Sequence, residues 1–332
     1  MTGGPIALPP PGAHGGDGAR IAAALGIPVA DVLDLSASLN PAAPDPTPVV
    51  ARHVDALGRY PDPARATAAL AERLDVDIDR LLLTNGGAEA IALVGAVLGG
   101  VVDEPDFSLY PRSAPPCSEH QVEQRSTGHS GQPAPALFEA PPRWRSNPHS
   151  PSGRLADPAD RAGVWDEAFW PLVAGTWTRG DHRSGSVVVG SLTKLLACPG
   201  LRVGYLLAPE SDDGDRLLTA ARAAQPGWSV GGLVGEALPD LLDTVDLPGW
   251  ARQVGHLRRE LVELLDTFGY RAEAADAPWV LVPHAGDLRK RLALQGIVVR
   301  DCATFGLPDT VRIAVPNDAD RPRLDAALRE IS

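Results

Sequence analysis

The sequence predicts an α/β chain built on a parallel or mixed sheet, and three observations predict it. Segments of strand pattern alternate with segments of helix pattern along most of the 332 residues, the order that yields a sheet covered by helices. Glycines fall where an apolar strand pattern gives way to an apolar helix pattern, at Asn85-Gly86-Gly87-Ala88. Two apolar runs, 187–189 and 203–208, read as buried strands on either side of a single lysine, Lys194.

The elements follow in order. Residues 1–12 form a flexible lead, and His14-Gly15-Gly16 precedes a helix at 19–25. A strand at 32–36 ends at Leu39-Asn40-Pro41. A helix at 49–57 is closed by the turn Arg59-Tyr60-Pro61-Asp62-Pro63. A helix at 67–74 and a strand at 80–83 lead into the glycine turn and the helix 90–98. A short strand at 101–102 follows, then Phe107. From 111 to 146 the chain is rich in Pro, Ser and Gly, so irregular structure is expected, with short strands near Val122 and Leu137. Asn147-Pro148-His149-Ser150-Pro151-Ser152-Gly153 is a turn by composition. Beyond the lysine segment come an amphipathic helix at 211–225, a break at Pro226-Gly227, and helices at 231–242 and 250–268. Strands at 277–282 and 297–299 enclose a helix at 287–294. A last strand at 311–315 and a helix at 321–331 close the chain. No internal repeat is visible.

Composition narrows the function. The formal net charge is −12, which argues against a nucleic-acid or anionic-membrane surface. An anionic substrate must then be held by local arginines rather than by the global field. No apolar run is long enough to span a bilayer, and the N-terminal stretch lacks an apolar signal core. Cys117, Cys198 and Cys302 are odd in number and far apart. They suggest reduced thiols and a cytoplasmic protein, with neither a disulfide framework nor a metal site.

Lys194 is the candidate reactive group. A lysine between buried strands is costly unless it is paired or chemically used. In a low-dielectric site it loses its proton more easily and can condense with an aldehyde. Ser191 and Thr193 precede it and Arg202 follows the Pro199-Gly200 turn; two hydroxyls and a guanidinium suit a phosphate dianion. Glycines at a strand-to-helix turn leave backbone N–H groups bare at a helix N-terminus, a second anion site. Arg300 and Arg312 lie beside apolar, β-branched runs, so two adjacent strands could present both guanidiniums to one pocket. Each piece alone has a plainer reading, as a surface loop, a glycine turn or a solvated arginine.

Together, Ser191-Leu192-Thr193-Lys194 followed by Pro199-Gly200-Leu201-Arg202 and Gly204-Tyr205 resembles the Schiff-base segment of the fold-type-I pyridoxal-phosphate enzymes, the aminotransferase family. His14-Gly15-Gly16, Asn40-Pro41, Arg59-Tyr60-Pro61-Asp62, Asn85-Gly86 with Glu89, Asp166-Glu167-Ala168-Phe169, Trp228-Ser229-Val230, Val299-Arg300-Asp301-Cys302 and Val311-Arg312-Ile313-Ala314 fall in an order similar to one group of that family. The group holds the threonine-phosphate decarboxylases of cobalamin biosynthesis and the related histidinol-phosphate aminotransferases, and the likeness runs from about His14 to the C-terminus.

The resemblance implies a large cofactor-binding domain with a mostly parallel sheet over 31–225, a smaller C-terminal α/β domain over 226–332, and an N-terminal arm, 1–30, packing with the small domain. It implies pyridoxal 5'-phosphate as cofactor and a homodimer with a shared active site. Lys194 would condense with the cofactor's aldehyde and later shuttle protons, and Asp166 would hold the pyridinium N–H. Gly87 and Ala88 would offer N–H groups to the cofactor phosphate, with Ser191, Thr193 and Arg202 helping. Phe107 would stack on the ring, and Tyr60 would reach the phosphate bound by the partner subunit. Arg312 would grip the substrate carboxylate and Arg300 the substrate phosphate, with His14 near that phosphate.

Three positions depart from the family pattern. Ser150 stands where an asparagine bonds the cofactor's phenolic oxygen; Phe169 stands where a tyrosine is common; and the stretch between Gly153 and Asp166 is short. The implied activity is decarboxylation of L-threonine O-3-phosphate to aminopropanol phosphate. An aminotransferase of histidinol phosphate or a similar amino phosphate is the alternative, and a non-catalytic cofactor-binding or scaffold protein is the reading of another class.

Overall fold

The computed structural model describes residues 6–112 and 140–332. The strands expected near Val122 and Leu137, and Cys117, lie outside the described residues. The central sheet has six strands in the order Leu81–Thr84, Gly204–Leu207, Val187–Ser191, Val164–Asp166, Arg143–Ser146 and Val101–Val102. Gly204–Leu207 runs antiparallel to both neighbours and the other pairs are parallel. Successive residues of a strand face opposite sides, and the core divides accordingly. Val187 and Val189 join the helices Gly87–Leu98 and Asp212–Ala224 on one face. Val188 and Trp165 join Ala64–Leu74 and Gly232–Leu242 on the other. A sheet buried on both faces needs apolar residues at consecutive positions, which is why the run at 187–189 is unbroken.

A second, antiparallel sheet has the order Arg300–Asp301, Val311–Ala314, Trp279–Val282 and Glu273–Ala274. Its core is shared with Leu247–Thr267, Leu288–Leu294 and Arg321–Ile331. The N-terminal chain is stitched to this part: Leu33–Asp34 pairs in parallel with Ile297–Val298, and Ile21 of the helix Gly18–Leu25 packs on Ala293 and Val298. A boundary at 225/226 does not match the cores. Val234, Leu238 and Leu241 are buried in the first core, and the helix Leu247–Thr267 gives Leu247 and Trp250 to the first and Leu257, Leu261 and Leu265 to the second. We place the junction within that helix.

Three other expectations change. The helix at 49–57 is two pieces, Thr47–Ala51 and a 3-10 turn at Val54–Gly58, because Val54 and Leu57 are exposed and supply no apolar face. The irregular segment at 111–146 ends in a strand, Arg143–Ser146, whose only apolar residue is the fully buried Trp144, so no pattern betrays it. The short stretch before Asp166 holds no helix over 154–163. Arg179 compensates: its guanidinium donates to the carbonyls of Asp157 and Pro158 at 3.1 Å each and lies 4.9 Å over the Trp165 ring. One half-buried cation thereby satisfies carbonyls that a helix would have paired with its own N–H groups.

Candidate active site

A cavity of about 270 Å³ opens between the two sheets and the N-terminal segment. Lys194 lines it from the short helix Leu192–Leu195, just past the end of the central strand Val187–Ser191. Burial, then the charges of Arg202 and Arg312, pull its ammonium down to about 8 against the opposing pull of Asp166. Desolvation penalises the cation, so this amine is available as a nucleophile near neutral pH.

One end of the cavity is built to take an anion. Gly87 and Ala88 open the helix Gly87–Leu98, and the first N–H groups of a helix have no partner within it. Gly86 has φ +79, and a Cβ there would collide with the Arg202 guanidinium; a Cβ on Gly87 would sit 3.2 Å from Ser191 Cβ. The glycines therefore let the backbone, Ser191 and Arg202 converge. Thr193 does not take part as expected. It is buried and does not line the cavity. Its hydroxyl bonds the backbone of Val203, at 3.2 Å to the carbonyl and 3.3 Å from the N–H. The first turn of the short helix points it into the core, where it pins the strand that carries Arg202's neighbours.

Asp166 lies at the end of Val164–Asp166. It accepts from Ala168 N at 2.9 Å and from the Tyr110 hydroxyl at 2.9 Å. Burial pushes its carboxyl up to about 6 in spite of both bonds. Each oxygen keeps a lone pair for a further donor, and a cationic N–H would relieve the cost of the buried charge. Phe107 and Phe169 line the cavity, and Ser150 does so beside them. Tyr60 does not: it is exposed and stacks on Trp228 with centroids 4.7 Å apart.

The other end carries two arginines. Arg300 and Arg312 are directly opposite each other in the antiparallel pair, so both side chains leave on one face. Both are buried, and among the described residues neither forms an ion pair. Aromatic faces hold them instead: Arg300 lies 4.7 Å over Phe305 and Arg312 4.7 Å over Trp279. Burial and the facing Arg300 hold the Arg312 guanidinium down at about 9. Two desolvated cations without counter-charge form a strong oxyanion site. His14 sits close by with its ring 5.6 Å from Phe107, and burial with the charges of Arg300 and Lys194 keeps it below its usual value.

Sequence reasoning did not find Tyr110, Ser36 or Ser38, all of which line this cavity. Tyr110 is three residues past Phe107, and its bond to Asp166 depends on how distant strands align. Nothing local signals either serine. No helix among the described residues is long and apolar enough to cross a membrane.

A family model described as aminotransferase class I and II matches residues 144–331. The chain is 30% identical to the threonine-phosphate decarboxylase of Salmonella typhimurium, over 96% of each protein. It is 28% identical to the histidinol-phosphate aminotransferase of Halobacterium salinarum, over 94% of each. Among solved structures it superimposes on histidinol-phosphate aminotransferase from Sinorhizobium meliloti in complex with pyridoxal-5'-phosphate, with a TM-score of 0.71 and 17% identity over 95% of each chain.

Proposed function

The chain belongs to the class I and II aminotransferase family of pyridoxal-phosphate enzymes, and from that premise we propose that it decarboxylates L-threonine O-3-phosphate to aminopropanol phosphate, as a step of cobalamin biosynthesis. The observation that carries this reading is the facing pair Arg300 and Arg312, buried and without a carboxylate partner among the described residues. A substrate with both a carboxylate and a phosphate uses both guanidiniums for separate oxyanions; histidinol phosphate carries its phosphate ester where an amino acid has its carboxylate, and so offers the pair a single oxyanion.

The residues present suit the cofactor. The glycine cradle at Gly86 and Gly87, with Ser191 and Arg202, fits a phosphate. The buried Asp166 fits a pyridinium N–H, and Lys194, drawn down to about 8, fits an aldehyde. Once bound, pyridoxal phosphate supplies an electron sink for the pair released at the substrate's α-carbon. Lys194 would supply the amine that holds the cofactor's aldehyde and, once CO₂ has left, would deliver a proton to that carbon. Asp166, steadied by Tyr110, keeps the ring nitrogen protonated. Arg312 orients the carboxylate, Arg300 and His14 bind the phosphate, and Phe107 packs on the ring while Phe169 and Ile91 keep water out. Ser150 gives the phenolic oxygen one hydroxyl where the family offers an amide.

We also propose a homodimer in which Tyr60 of one copy reaches the cofactor phosphate of the other. The support is its exposed position with Val54, Leu57 and Trp228, a large apolar group left uncovered. A second reading, transamination between histidinol phosphate and a 2-oxo dicarboxylic acid whose two carboxylates would occupy both arginines, is favoured by the Halobacterium salinarum relative. Incubating the holoenzyme with threonine phosphate and no keto acid separates them. Steady release of CO₂ over many turnovers supports decarboxylation; no CO₂, with amino transfer appearing when histidinol phosphate and 2-oxoglutarate are added, supports the second reading.

A further inference from the structure

Asp106, the residue before Phe107, is a second buried carboxylate near Asp166. It is 4% exposed and does not line the cavity, and among the described residues neither acid forms an ion pair. Ser146 links the two. It is the direct partner of Asp166 in the parallel pair of strands Arg143–Ser146 and Val164–Asp166. It also donates twice to Asp106, from its hydroxyl to Oδ1 at 2.5 Å and from its N–H to Oδ2 at 3.1 Å. One strand spacing and one hydrogen bond therefore separate the acids, roughly 8 Å.

The Asp106 carboxylate is also a fixing point for the cavity wall. Its Oδ1 accepts from Phe107 N at 2.7 Å. The Ser146 hydroxyl that donates to it accepts in turn from Ser150 N at 2.7 Å. Phe107, Ser146 and Ser150 all line the cavity. Three donors converge on two oxygens, which an amide with its single acceptor oxygen cannot match. Arg112 steadies the same loop, donating to the carbonyls of Phe107 at 3.2 Å, Ser108 at 3.1 Å and Tyr110 at 2.9 Å.

The charge has its own consequence. Burial pushes the Asp106 carboxyl up, opposed by the bonds from Ser146 and Phe107, and its charge adds to the burial that lifts Asp166. The other ionisable groups around it are Glu104 and Arg112 on its own loop, Tyr110, and His149 on the turn after Ser146. Two like charges close together in a dry interior are relieved by a cation placed near both.

We propose that Asp106 is a positioning residue for the cofactor, whose carboxylate sets Phe107 and Ser150 in the cavity wall and adds a second negative charge behind Asp166. This inference rests on the reading of the cavity as a pyridoxal-phosphate site. It gives the ring's cationic form two carboxylates to face, one in contact and one through Ser146.

The test compares wild type with three variants loaded with pyridoxal phosphate. Asp106→Asn and Asp106→Thr both remove the charge, and the threonine hydroxyl keeps an acceptor for a nearby N–H. Ser146→Ala keeps the charge and cuts the bond to Ser150. Thermal denaturation and bound-cofactor content report folding and loading. The readout is the midpoint pH at which the bound cofactor's visible absorbance changes. A nearby negative charge favours the protonated form, so removing it lowers the midpoint. The Asp106 variants should titrate about 0.5–1 unit below Ser146→Ala, the size of one charge felt over roughly 10–20 Å at an effective dielectric constant near 20. All three should bind cofactor about 2- to 12-fold more weakly than wild type, as the loss of one hydrogen bond predicts. Asp106 variants that titrate with Ser146→Ala, or that match wild type in midpoint and affinity, overturn the inference while leaving the cofactor reading intact. So does failure of both Asp106 variants to load while Ser146→Ala loads, since Asp106 then serves only the fold. If the wild type itself takes up no cofactor, the cofactor reading fails and the inference with it.

Discussion

Replacing Arg300 by Ala tests how the site separates phosphorylated from plain substrates. In the structure the guanidinium has one protein acceptor, the Ala13 carbonyl at 3.1 Å, and an orphaned Nε. Its removal therefore breaks no ion pair among the described residues, and it relieves the repulsion that helps hold Arg312 low. The variant is expected to fold and to keep its cofactor. What it loses is one or two charge-assisted bonds to a dianion, worth about 1.5–3 kcal/mol each. For a single such bond, kcat/KM for threonine phosphate should fall by roughly 10- to 150-fold relative to that for threonine. The assay is steady-state CO₂ release with both substrates, run at one ionic strength because the field at an anion site is screened by salt. Equal losses for the two substrates would refute the reasoning, since Arg300 would then be structural and the phosphate read elsewhere.

Asp166→Asn should bind cofactor and fold, yet lose at least about 10²-fold in kcat, because an amide cannot stabilise a pyridinium; a kcat near the wild-type value would remove Asp166 from its role. Glu167→Gln should change the pH dependence of stability in the apoprotein. Burial lifts the Glu167 carboxyl up to about 7, so its folded-state value lies above the unfolded one. The stability it contributes is whole below the unfolded value and is lost as pH rises through about 7. Urea denaturation should therefore show the variant more stable than wild type by up to roughly 3 kcal/mol at pH 8, with the gap closing near pH 4. A gap independent of pH would contradict the shift.

Much of this site can be read from the sequence because its chemistry is concentrated in short, contiguous pieces. Lys194 stands out as a lone cation between valine-rich strands, and Gly86-Gly87 marks the strand-to-helix turn. Arg300 and Arg312 flank a turn between β-branched runs, so their pairing follows from the pattern, and the structure sets them opposite each other. Thr193 lies differently from Ser191 for a physical reason. Ser191 and Thr193 look alike in sequence, but the helix begins between them, and one faces the cavity while the other bonds Val203. Tyr110 is invisible in the sequence because its role depends on a partner far away in the chain, Asp166. Trp144 hid its strand because its neighbours are Arg143, Arg145 and Ser146. Pro226-Gly227 marks the end of a helix, whereas apolar contacts change hands between the two cores along Leu247–Thr267, which is where we place the junction.

The claim on which the rest depends is that Lys194 is the amine that holds pyridoxal phosphate. Adding cofactor to apoprotein, reducing with borohydride and mapping the labelled peptides by mass spectrometry tests it directly. The account predicts one phosphopyridoxyl group per chain, on Lys194. It further predicts that capture quickens with pH and levels off above about 8, the value to which burial and Arg202 draw the amine. A label on Lys290, or none on any lysine, would contradict it.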